Sequence, residues 1–151
     1  MKYTTEIRIE VPLNTFINKI DNFDNIKHWQ LGLESVEHIS GDPGQLGAKM
    51  KLNFLFGNRK MEIIETITKR NLPHEFHTNY TTKTMRNVQE NYYEKTSDGF
   101  TKWTSKNQFV PLNFTMRLML FFMPRTFKKQ TQKYMQDFKN FAENGTSFVH
   151  A

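Results

Sequence analysis

The chain has no cysteine, and that absence removes several chemistries at once. Disulfide staples, a thiolate nucleophile and cysteine-based zinc or iron–sulfur sites are excluded. Proline and glycine are sparse, 5 and 7 in 151 residues, and no repeat or low-complexity tract interrupts the chain. One domain over residues 1–144 with a short tail, 145–151, is the expected organisation. Catalytic signatures are missing as well: there is no G-x-S-x-G elbow, H-E-x-x-H helix, P-loop or Rossmann glycine pattern. Long apolar runs are absent. The amino terminus, MKYTTEIRIEV, alternates polar and apolar residues and lacks the core of a signal peptide. The run from Val110 to Met123 carries Asn113 and Arg117 and falls short of the roughly 20 apolar residues that cross a bilayer. A soluble, cytoplasmic protein is expected.

What is present is an aromatic core in a basic chain. Hydrophobic residues make up 37% and aromatic residues 14%, with 14 Phe, 8 Met, 5 Tyr and 2 Trp, enough to rule out global disorder. The net charge is +6, but the basic residues are spread along the sequence. The densest group, Arg125 to Lys133, falls at the intervals of a solvated helix face, and no nucleic-acid-binding motif accompanies it. No nucleic-acid partner is expected; attraction to an anionic membrane is a weaker alternative.

Periodicity gives the elements. Tyr3, Thr5, Ile7, Ile9 and Val11 alternate with polar residues, as in a half-buried strand. Pro12 opens a short helix carrying Leu13, Phe16, Ile17 and Ile20, and Asp24 can cap a second one ending near Trp29. Strands are then expected at residues 34–40, 48–56, 59–69, 75–82, 87–96 and 101–110, joined by short glycine-, asparagine- or proline-containing turns. A helical stripe follows from about Asn113 to Asn144, with Gly145 placed to end it. Pro124 lies inside that stripe, where it removes a backbone donor and clashes with the preceding turn. It is expected to break the helix and leave residues 112–123 as a separate segment able to gate a cavity.

The order β-α-α-β-β-β-β-β-β-α resembles the helix-grip fold of the START-like, or SRPBCC, superfamily, which includes polyketide cyclase/dehydrase-like proteins. The residues that carry the resemblance are Val11-Pro12 leading into the first helix, Trp29 closing the second, the Gly41–Gly47 turn, and the turn from Asp98 to Trp103. Phe100 departs from the family pattern, which usually has Thr there. The resemblance implies an α+β fold in which a curved, seven-stranded antiparallel sheet wraps a long C-terminal helix. It also implies a cavity between sheet and helix, open near the short helices.

Strand parity sharpens that expectation. If Trp103 and Phe109 point inward, so do Thr101, Ser105 and Asn107; with Tyr93 go Asn87, Gln89 and Asn91. The opposite parity would bury Glu90 and Glu94. Unpaired buried amides cost about 1–3 kcal/mol each, so this polar face calls for a wet or ligand-filled pocket. Phe54, Ile63, Phe76 and Tyr80 are expected on another wall, with Trp29 and Met50 near the mouth. Met116 and Leu120 join them from the helix segment that the resemblance places at the cavity. The plain alternative, that these residues only fill the core, stays open for each. Glu65 falls in register with Met61, Ile63 and Ile67, so a carboxylate points inward, where burial can raise its pKa and make it a general base.

His74 and His77 lie three apart in a strand, on opposite faces, so no metal site is expected, and no cofactor is implied. Two functions follow. One is carriage or sensing of a small hydrophobic molecule, lipid-like or polyketide-like. The other is a cofactor-free cyclase or dehydratase using Glu65 and pocket tyrosines.

Overall fold

A computed structural model describes residues 1–149. Strand β1 (Lys2–Ile9) is followed by helices α1 (Leu13–Ile20) and α2 (Phe23–Trp29). Six strands come next: β2 (Leu33–Ser40), β3 (Lys49–Phe56), β4 (Arg59–Asn71), β5 (Glu75–Thr81), β6 (Met85–Lys95) and β7 (Thr101–Pro111). Helices α3 (Phe114–Phe122) and α4 (Pro124–Asn144) follow. All seven strands join one antiparallel sheet in the order β1-β7-β6-β5-β4-β3-β2. Consecutive β1 and β2 therefore occupy opposite edges, and the α1–α2 pair must carry the chain from one edge to the other.

Local chemistry sets the helix limits. Pro12 stands at the N-cap of α1. The cap of α2 is Asn22, whose side chain accepts from the Asp24 backbone N–H; Asp24, the expected cap, lies inside the first turn instead. The break at Pro124 is real. Asn113 caps α3 through the Met116 N–H at 2.8 Å, and Pro124 begins α4 at a position where its missing N–H costs nothing. The single 113–144 stripe is thus two helices, and α4 alone is the long one. Gly145 ends it with φ +71°, a left-handed conformation suited to glycine, and its N–H closes on the Phe141 carbonyl at 2.9 Å.

The core forms where α4 lies against the sheet. Phe138 is fully buried and meets Phe16 of α1, Trp29 of α2 and Trp103 of β7 edge-on, with ring centroids 5.2, 5.1 and 5.7 Å apart. Ile9, Val11, Tyr93, Met135 and Ala142 complete this cluster. Further along α4, the Tyr3 hydroxyl bonds the Phe127 carbonyl at 3.1 Å and Thr131 at 2.5 Å, and Thr5 donates to the Met135 sulfur at 3.0 Å. These contacts tie the helix to the edge strand β1.

Truncation at Phe138 empties the site that all these elements share, and its neighbours can only partly collapse into the space. Phe138→Ala is expected to cost about 3–5 kcal/mol, measured by urea denaturation; a loss below about 1 kcal/mol would show that α4 is held elsewhere.

Candidate functional site

A cavity of about 90 Å³ lies between the sheet and the α1–α2 crossing. Alternation in β4 to β7 turns Glu65, Ile67, Phe76, Tyr80, Tyr93 and Trp103 toward it, while Ile20, Phe23, Ile26 and Trp29 close it from the helices. The α1–α2 corner is held by Arg70 of β4. Its guanidinium donates to both oxygens of Asp21, at 2.9 and 2.7 Å, and to the Gly44 carbonyl at 3.0 Å. Asp21 and Gly44 both border the cavity, so one arginine pins two sides of its rim.

The inward polar face of β6 and β7 is present, with Asn91, Thr101, Ser105 and Asn107 buried. Its amides, however, satisfy one another. Trp103 Nε1 donates to Asn91 Oδ1 at 2.9 Å, Asn91 Nδ2 to Gln89 Oε1 at 3.1 Å, and Gln89 Nε2 to Asn107 Oδ1 at 3.0 Å. Asn87 adds a second donor to Asn107 Oδ1 at 3.2 Å, and Asn107 Nδ2 donates to Ser105 at 2.9 Å. The inference that these amides require a wet or occupied pocket is therefore corrected. A ladder of side chains two residues apart on adjacent strands supplies the partners.

Two groups at the cavity stand outside that ladder. Trp29 Nε1 is buried and, among the described residues, has no hydrogen-bond partner. Glu65 sits directly across the β4–β5 pairing from Tyr80, and no lysine or arginine among the described residues neutralises it. Burial raises its carboxyl from 4.5 and the Tyr80 hydroxyl lowers it part of the way back, leaving it at about 7. Burial, reinforced by the Glu65 charge, holds the Tyr80 phenol well above its ordinary value. Burial raises Tyr93 likewise, with Asp21 adding to it. Both phenols therefore stay protonated and can donate to an oxygen.

Of the residues expected at a pocket, Trp29, Phe76, Tyr80, Gln89, Asn91, Tyr93, Trp103 and Glu65 come together around this cavity. Met50 and Phe54 are buried side chains of β3, and Ile63 is half-buried on β4; none of them borders it. Asn107 lies deeper in the ladder. Met116 and Leu120 belong to α3, which packs beside β7 and does not reach the cavity, so the segment before Pro124 is not its gate. Sequence reasoning missed Phe23 and Ile26, although their three-residue spacing with Trp29 marks one helix face. Leu72, from the turn after β4, gave no periodic signal. A more open groove of about 260 Å³ runs between α4, Leu31 and Phe56, but it holds no uncommitted buried polar group.

Chains of known structure share this fold. Ara h 8.0201 matches with a TM-score of 0.74 at 13% identity, over 94% of this chain and 97% of that one. The fold is the helix-grip fold. The protein TTHA0849 from Thermus thermophilus matches at 0.75 with 9% identity, over 97% and 100% of the two chains. CV1439 from Chromobacterium violaceum matches at 0.72 with 10% identity, over 93% and 96%. No family model matches the sequence, and no curated protein is matched by it. At such identities the likeness establishes the helix-grip architecture and transfers no activity.

The raised Glu65 pKa makes stability depend on pH. The folded state binds this proton more tightly than the unfolded chain, so the contribution is fully present below the unfolded value of 4.5 and is lost as pH rises toward 7. Stability from urea denaturation is expected to fall by up to about 3 kcal/mol between about pH 5 and about pH 8 on this account, and Glu65→Gln is expected to flatten the dependence. An unchanged slope in the variant would place the Glu65 carboxyl in water.

Proposed function

We propose that this chain binds a small, largely apolar molecule bearing a carbonyl or hydroxyl oxygen, as a carrier or sensor. The observation that carries the reading is an aromatic-walled cavity bordered by Trp29, whose buried Nε1 has no hydrogen-bond partner among the described residues, while the amides of Gln89 and Asn91 beside it are already paired. A buried donor without a partner costs about 1–3 kcal/mol, and a ligand oxygen, or a water standing in for it, would recover that energy. Protonated Glu65 and Tyr80 are a second polar pair on the sheet side. The aromatic walls supply apolar contact and disfavour anionic molecules, since among the described residues no basic side chain lines the cavity and Arg70 at its rim is already paired with Asp21. The helix-grip resemblance points the same way, toward lipid-like or polyketide-like molecules.

Size limits the ligand. A volume of about 90 Å³ holds about three waters at roughly 30 Å³ each, whereas drug-sized ligands occupy about 300–1,000 Å³. A larger molecule must displace α2, which the Arg70–Asp21 pair restrains at its start and the packing of Trp29 on Phe138 at its end. A carrier that opens by moving one short helix fits this geometry.

A second reading has its own support. A carboxyl near neutrality is half ionised at working pH, the condition for a general base. With Tyr80 beside it to polarise a carbonyl, Glu65 can move a proton without any cofactor, as a cyclase or dehydratase requires.

Native mass spectrometry of freshly purified protein, followed by denaturation and identification of what is released, separates the readings. The carrier reading expects the same apolar molecule from the wild type and from Glu65→Gln. Conversion product from the wild type with unconverted precursor from Glu65→Gln would establish the enzyme. An empty protein that also admits neither xenon nor ANS would overturn both.

A further inference from the structure

The ligand reading leaves α3 unused, and α3 is the least expected surface of the molecule. Phe114, Phe121 and Phe122 are 71%, 77% and 72% exposed, and Leu118 and Met119 are also exposed. Phe114, Leu118 and Phe121 recur at helical intervals and share one face, with Phe122 at its margin. Leu120 is buried on the other side, where α3 packs on β7. The helix is thus apolar on its packed face and on its free face, a pattern that a helix surrounded by water does not sustain.

Charge identifies what covers the free face. No acidic residue occurs between Asp98 and Asp137. Within that stretch Arg117 of α3 and Arg125, Lys128 and Lys129 at the start of α4 are all exposed. The ion pairs of α4 begin later, at Lys133–Asp137 and Lys139–Glu143, and leave these four without an acidic partner among the described residues. A second copy docking face to face would bring two wholly basic segments together, which is repulsive. An anionic lipid leaflet answers both features, taking aromatic side chains at its interface and cations at its headgroups.

We propose that α3 docks this protein on anionic membrane surfaces. Phe114, Leu118, Phe121 and Phe122 enter the interfacial layer, and Arg117, Arg125, Lys128 and Lys129 lie against lipid phosphates. α3 lies outside the cavity wall, so the docking stands or falls independently of what the cavity binds.

Sedimentation with vesicles tests it. Wild-type protein is expected to bind vesicles of phosphatidylcholine and phosphatidylglycerol in equal parts, at least about tenfold more tightly than phosphatidylcholine alone, with binding weakened by salt. Phe121→Ser with Phe122→Ser should weaken it about tenfold or more. Arg125→Gln or Lys128→Gln should each weaken it about fivefold and reduce the salt effect. These side chains are exposed, so circular dichroism of each variant should match the wild type; if the double variant does not, Phe121→Ser alone gives the readout. No binding to the anionic vesicles, or binding indifferent to the phenylalanine changes, overturns the proposal. So does a concentration-dependent dimer in ultracentrifugation that the phenylalanine variants abolish, since the face would then belong to a second copy.

Discussion

Phe138 is the point at which α4, α1, α2 and the β7 strand meet, and the rest of the molecule depends on that meeting. Its ring is edge-on to Phe16, Trp29 and Trp103. Edge-to-face contacts between aromatic rings add about 0.5–1.5 kcal/mol beyond burial and fix relative orientation, which aliphatic packing does not. The same contacts set where Trp29 and Trp103 stand, and both of those rings wall the cavity. Core and site are therefore built from shared side chains, so a ligand that moves α2 must disturb a packed aromatic contact as well as open a lid.

The polar groups of the interior fall into two kinds. Those of β6 and β7 form a closed ladder from Trp103 through Asn91, Gln89 and Asn107 to Ser105. A network satisfied from within stiffens the sheet and has no further demand for a ligand. Glu65, Trp29 and Thr78 are different: among the described residues no cation compensates the Glu65 carboxyl, and Trp29 Nε1 and Thr78 Oγ1 have no hydrogen-bond partner. Glu65 on β4 and Trp29 on α2 both border the cavity.

Most of the architecture was legible because its signals are local. Alternation marked every strand within about two residues, Pro12 and Pro124 marked helix starts, and Gly145 marked a helix end. Inward parity on β6 and β7 followed from Tyr93, Trp103 and Phe109, and Asn91, Thr101, Ser105 and Asn107 are buried accordingly. What was not legible depends on register between strands. The sequence shows Asn87, Gln89, Asn91 and Asn107 pointing inward, but only the pairing of Gln89 with Asn107 and Asn91 with Ser105 reveals that they answer one another. The position of α3 escaped the sequence for a related reason. Its residues are apolar on both faces, and periodicity alone cannot say which face packs on β7 and which is left free. Glu65 was found because a single carboxylate in an otherwise apolar alternation stands out, whereas its pairing with Tyr80 became visible only through the β4–β5 register.

The central claim is that the cavity beside α2 takes the Glu65 carboxyl far enough out of water to make it neutralisable. Titration of the Glu65 side-chain carboxyl by carbon-13 NMR of labelled protein tests it directly. The account predicts a midpoint near 7, far from the 4.5 of an exposed glutamate, because burial disfavours the charged form and no cation offsets it. A midpoint near 4.5 would contradict it, showing that water reaches Glu65 freely and that the cavity is open to solvent.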